Sequence, residues 1–352
     1  MKVCICTTPI RPEPTGFPPF GSMAIIQSLR KIEINAEFYN IDFYRYSHQE
    51  IEAYFKKQQF DVVGISAVVS TAYTYTKYLS KLIRRMSPDT VIILGGNLAA
   101  SAEIILNKCE VDFCVIGDGE FIIQDLVPIL KEKPLNYDNL RDTKGIAFLD
   151  EQKKFCFTGY GKSPSAQEIE LPDYTILEGD DSFDCYMPKI PEPDRTKNFE
   201  YSGHLGLQGV RTAQVITAKG CVARCTFCHR FEPGYRAIPL DKLTEHLKHL
   251  KTKYNVGYIG IGDENFGSDK KLTAKLIKVF SELGLKWHAG GVRTRTVTKE
   301  TLQSWYDNGC DTVHYGIESG SPKILQVMEK NLKLEDNIQA LKWTGEVGIS
   351  TI

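Results

Sequence analysis

The sequence predicts an α/β protein built from two successive β/α series, and three observations carry that prediction. Short apolar runs alternate with longer amphipathic stretches across residues 1–134, and again across 212–352. Between them, from 135 to 211, the alternation lapses into prolines, acidic pairs such as Asp180-Asp181 and short apolar runs. Finally, 352 residues with 42% hydrophobic and 25% charged side chains have the balance of a globular chain too long for one core.

In the first series, strands are expected at Lys2–Thr8, Ala36–Phe43, Asp61–Val69, Val91–Leu94 and Phe113–Ile116. Helices are expected at Met23–Lys31, Gln49–Gln58, Thr71–Met86 and Ala102–Lys108, where apolar residues recur at three and four positions. This reads as a doubly wound domain ending near Pro134. The stretch 135–211 reads as an irregular linker with a small hairpin at Gly145–Phe157. It is too long to be structureless and is expected to pack on one or both domains.

The second series has expected strands at Gln214–Thr217, Tyr258–Ile261, Lys286–His288 and Thr312–Tyr315. Its helices fit Leu240–Tyr254, Asp269–Leu283, Lys299–Asn308, Pro322–Met328 and Glu335–Glu346. Gly348 to Ile352 looks like the opening of another strand. Four complete units would leave a parallel barrel open, so the chain reads as the first portion of a longer protein.

A net charge of −1 gives nucleic acid and anionic membranes no long-range attraction. Neither a signal peptide nor a membrane span is expected, and the cytoplasm is the expected location. There, ten cysteines are core thiols, ligands or catalytic groups rather than a disulfide scaffold. Cys4, Cys6, Cys109, Cys114, Cys156, Cys185 and Cys310 are scattered and read as core thiols.

Cys221, Cys225 and Cys228 are clustered. They follow a β-like run and the turn-forming Lys219-Gly220, which puts three soft thiolate ligands on one loop at a strand's C-terminal end. Three ligands on a cubane of four irons leave one iron open to a small molecule. The alternative is a structural zinc, which would need a fourth ligand such as His229.

The cysteine spacing, with Phe227 before the last cysteine, resembles the signature loop of radical S-adenosylmethionine (radical SAM) enzymes. That resemblance implies a [4Fe-4S] cluster whose open iron chelates S-adenosylmethionine. Electron transfer then gives methionine and a 5′-deoxyadenosyl radical, with Phe227 near the adenine. It also implies that Asp263 or Glu264, after the second strand, holds the ligand's amino group. Gly316-Ile317-Glu318-Ser319-Gly320-Ser321 resembles a segment of the cobalamin-type members, with Glu318 as a cofactor contact. Arg293, or Arg295 in its place, is the candidate for the methionine carboxylate.

The first domain resembles the Rossmann-like cobalamin-binding domain of the same enzymes. Ser66 and the Gly95-Gly96 pair end adjacent strands, where that family lines the channel for the nucleotide tail, and Gly117 to Glu120 matches its acidic-glycine segment. A close backbone approach by a bulky ligand requires glycine. The chain departs from the D-x-H-x-x-G loop of histidine-ligated members: Pro9 to Gly16 stands there, and the first histidine is His48. Lower axial ligation from that loop is therefore excluded.

The expected whole is a cobalamin-binding-type domain followed by a partial radical SAM β/α barrel. The resemblance implies methyl transfer, an unidentified substrate and an electron donor such as flavodoxin or ferredoxin. The alternatives are a radical cyclase or rearrangement enzyme of the same architecture, a zinc-stabilised non-catalytic binding protein, and a first domain that keeps the fold without the cofactor.

Overall fold

The structure, a computed structural model, describes residues 1–132, 136–190, 206–228 and 234–352. Pro134, His229 and residues 191–205 of the expected linker lie outside the described residues. The chain divides into two compact units: Met1–Pro164 with Pro172–Ser182, and Ser165–Leu171 with Phe183–Ile352.

The first unit holds β1 (Val3–Thr7), β2 (Glu37–Tyr39), β3 (Val62–Ser66), β4 (Val91–Gly95), β5 (Phe113–Val115), β6 (Ile146–Leu149) and β7 (Phe155–Phe157). They form one sheet in the order β2-β1-β3-β4-β5-β6-β7. The first five strands are parallel, while β6 pairs antiparallel with β5 and β7 with β6. Strands buried on both faces need continuous apolar runs, and β1, Val-Cys-Ile-Cys-Thr, is buried at all five positions. The order reverses between β1 and β3, the place where open α/β sheets receive ligands beyond their strand ends.

Two elements of the first unit differ clearly from expectation. The strand expected over Ala36–Phe43 stops at Tyr39, because Asn40 caps a helical turn at Ile41–Tyr44 and its Oδ1 also accepts from Thr7 Oγ1 at 3.0 Å. A helix at Gly119–Ile129 was not expected; it buries Ile122, Ile123, Leu126 and Val127 against β1, β5 and β6. The expected hairpin forms, and it extends the first unit's sheet.

The second unit holds β8 (Arg211–Val215), β9 (Ala218–Lys219), β10 (Arg236–Ala237), β11 (Val256–Ile261), β12 (Lys286–Val292), β13 (Cys310–Tyr315) and β14 (Ser350–Thr351). Five parallel strands run β14-β13-β12-β11-β8, and β9 and β10 form a separate antiparallel pair. Helices at Leu240–Tyr254, Lys270–Glu282, Lys299–Asp307 and Leu334–Val347 return the chain between strands. Asp269 and Thr298 cap two of these by accepting from backbone N–H groups at 2.9 and 3.2 Å, each worth about 1 kcal/mol. Phe266, Phe280, Trp287 and Trp305 pack with ring centroids 5.3 to 5.7 Å apart beneath the strand ends.

Candidate metal centre

The loop Cys221–Cys228 starts directly after β9, through Gly220 at φ +82°. Cys225 is buried, Cys221 half-buried and Cys228 exposed, and none of the ten cysteines is in a disulfide. Two of the loop sulfurs receive N–H donors. The Ala223 N–H points at Cys221 Sγ (3.4 Å), and the Arg293 guanidinium lies 3.7 Å from Cys225 Sγ. Among the described residues, no three His, Cys, Asp or Glu side chains stand close enough together to hold a metal ion. The donor set still fits an iron–sulfur cluster: three cysteine thiols on one short loop, one receiving a backbone N–H and one beside a guanidinium.

The loop is tied to the segment after β13. Thr226 N–H donates to Met328 O (2.9 Å) and Thr226 Oγ1 to Val327 O (3.4 Å). Arg293, on the segment after β12, donates its second guanidinium nitrogen to Lys330 O. Lys330 Nζ forms an ion pair with Glu318 Oε1 (2.8 Å) and stands 5.7 Å from the centre of the Phe227 ring. Cys225, Phe227, Arg293 and Glu318, named from separate motifs, thus belong to one contact network. Lys330 is its hub and was not recognised as a site residue, because a lysine in a polar loop reads as solvated.

Asp263 and Glu264 divide sharply. Asp263 is buried, and its carboxylate accepts from Thr217 N–H (2.6 Å), Ala218 N–H (3.3 Å) and Thr217 Oγ1. It ties the end of β11 to the stretch leading into the cysteine loop. Burial pushes its carboxyl up to about 6, although these hydrogen bonds pull the other way. Glu264 is exposed, as a ligand contact requires. Gly291, on β12 at φ +64°, packs so closely that a Cβ there would fall 2.1 Å from Asp263 O. Arg295, the alternative to Arg293, is exposed and donates to Asn331 O (2.9 Å).

In the first unit, Ser66 pairs with Thr7 on one side and Gly95 on the other, across the switch point. Its carbonyl accepts from Thr8 Oγ1 at 2.9 Å. A Cβ on Gly95 would meet nothing within 4 Å, so the backbone there is open to a ligand. Gly96 is different: it sits at φ +85°, and a Cβ would lie 2.6 Å from Ala67 O. Its glycine is needed for the fold itself.

Residues 14–127 match the B12 binding domain family, and residues 215–352 match the Radical SAM superfamily. The two matches fall on separate parts of the chain, the first within the first seven-stranded sheet's unit and the second from the end of β8 onward. The chain is 26% identical over 349 residues to an uncharacterized methyltransferase of Pyrococcus horikoshii, covering 96% of this chain and 69% of that one. Its fold is shared with the cobalamin-dependent S-adenosylmethionine radical enzyme OxsB, solved with aqua-cobalamin and S-adenosylmethionine bound. There the TM-score is 0.73 and the identity 19%, over 99% of this chain and 48% of OxsB. It is shared also with the methyltransferase TsrM from Kitasatospora setae, solved with cobalamin and a [4Fe-4S] cluster. That match has TM-score 0.72 and 16% identity, over 100% of this chain and 66% of TsrM. The chain thus spans between about half and seven tenths of the length of these three proteins. Among the described residues, no helix is long and apolar enough to cross a membrane.

Proposed function

We propose that this chain is a radical SAM protein and the cofactor-bearing part of a cobalamin-dependent methyltransferase. Cys221, Cys225 and Cys228 would hold a [4Fe-4S] cluster, and Phe227, Glu264, Arg293 and Glu318 would surround its S-adenosylmethionine. The ends of β3 and β4, at Ser66, Gly95 and Gly96, would line the cobalamin tail channel. Bound there, the cluster would supply the electron that cleaves S-adenosylmethionine to methionine and a 5′-deoxyadenosyl radical, while cobalamin would carry the methyl group. The protein's own residues bind and orient. Arg293 holds Cys225 in register, Asp263 anchors the approach to the loop, and Glu264 offers a free carboxylate to an ammonium group.

The observation that supports this most is that one network joins the cysteine loop to the segments after β12 and β13. The chain's reductant would be a small donor such as flavodoxin or ferredoxin, its substrate is unassigned, and its place is the cytoplasm. The test is anaerobic reconstitution with iron, sulfide and hydroxocobalamin, then addition of S-adenosylmethionine and a chemical reductant. Formation of both 5′-deoxyadenosine and S-adenosylhomocysteine supports methyl transfer. 5′-Deoxyadenosine alone would move the chain to the rearrangement or cyclisation reading, and neither product would remove the radical reading.

A further inference from the structure

Lys330 is 6% exposed, and lysines are almost never so buried unless they are paired. It sits in a tight turn after the helix Pro322–Val327, with Glu329 at φ +49° and Asn331 at φ +52° on either side. A helix end leaves carbonyls without intrahelical donors. Here two of those carbonyls, Val327 O and Met328 O, accept from Thr226 of the cysteine loop. Lys330's own carbonyl accepts from Arg293, which reaches Cys225. Its ammonium lies between the Glu318 carboxylate and the Phe227 ring. Glu318 itself has φ +62°, a left-handed conformation that costs a non-glycine residue energy and needs something to hold it.

We propose that Lys330 is a positioning residue that clamps the three-cysteine loop and fixes Glu318, so that both keep their arrangement before any cofactor binds. Its cation holds the Phe227 ring by a cation–π contact and the carboxylate by a charge-assisted hydrogen bond. The loop half of the proposal stands on contacts alone. The Glu318 half rests on the reading that Glu318 contacts S-adenosylmethionine.

The first test uses the cluster-free chain and needs no cofactor. Iodoacetamide alkylation is followed by mass spectrometry at Cys225, which is buried, with the exposed Cys228 as internal control. Lys330→Met is expected to speed Cys225 about tenfold, leave Cys228 and the circular dichroism unchanged, and be rescued to within about threefold by Lys330→Arg. Where the Met variant does not keep its circular dichroism, Lys330→Gln, which retains polar reach, carries the same comparison. Wild-type alkylation of Cys225 in a folded variant overturns the clamp. The second test titrates S-adenosylmethionine into the reduced, reconstituted chain and reads the change in the cluster's electron paramagnetic resonance spectrum. Lys330→Met should weaken the midpoint about tenfold at unchanged iron content, with recovery in Lys330→Arg. An unchanged midpoint would overturn the Glu318 half. A wild-type chain that takes up no iron would defeat the proposed function, yet leave the alkylation comparison standing.

Discussion

Replacing Asp263 with Asn separates a carboxylate that holds the fold from one that holds a ligand. Burial raises its carboxyl from the ordinary 3.8 to about 6. Between those values the native state binds the proton more tightly than the unfolded chain, so stability rises as pH falls. At about 1.4 kcal/mol per pKa unit, moving from about pH 7 to about pH 5 should stabilise the second unit by roughly 1 kcal/mol through this group alone. Asn cannot titrate, but its Oδ1 can still accept from Thr217 and Ala218. Comparing wild type with Asp263→Asn at each pH removes the contributions of other titrating groups. The assay is urea unfolding followed by tryptophan fluorescence, since Trp287, Trp305 and Trp343 all lie in the second unit. With a slope of about 2 kcal/mol per molar, the gap between the two midpoints should move about 0.5 M in favour of wild type at the lower pH. Midpoints that move in parallel would refute the assignment of a buried, proton-retaining Asp263.

Other expectations follow from the same contacts. Gly96→Ala combines a left-handed φ with a backbone clash and should cost about 2–4 kcal/mol, seen as a lower urea midpoint by circular dichroism. Gly95→Ala meets open space and should leave stability within about 0.5 kcal/mol while weakening hydroxocobalamin uptake, measured by absorbance after gel filtration. Loss of stability in the second or none in the first would contradict the different roles given to the pair. Glu264→Gln should weaken S-adenosylmethionine binding about tenfold in equilibrium dialysis, and Asp263→Asn much less, because Asp263 already spends its acceptors on Thr217 and Ala218. The opposite ranking would make Asp263 the ligand contact.

Much of this was legible before any coordinates. The parallel strands of the first unit announce themselves as apolar runs, because strands buried on both faces are mostly apolar. The cysteine spacing locates the loop, because short-range geometry alone lets three thiols share a centre. Contacts set by tertiary packing were not legible. The helix Gly119–Ile129 has buried residues at helical spacing, but it opens on the glycine segment Gly117 to Glu120 and carries Pro128 inside it. Asn40 ends a strand early by capping the turn that follows, and it is also held by Thr7, far away in sequence, which donates to it. The sequence leaves Asp263 and Glu264 equivalent, and only their burial separates them. Lys330 gains its meaning from Glu318, twelve positions earlier, and from a ring on another loop.

The central claim is that Cys221, Cys225 and Cys228 hold an iron–sulfur cluster with an open iron. Elemental analysis after anaerobic expression with iron, sulfide and hydroxocobalamin in supply tests it most directly. About four irons per chain, lost in Cys225→Ser, is the predicted result. Zinc in place of iron under those conditions would contradict it.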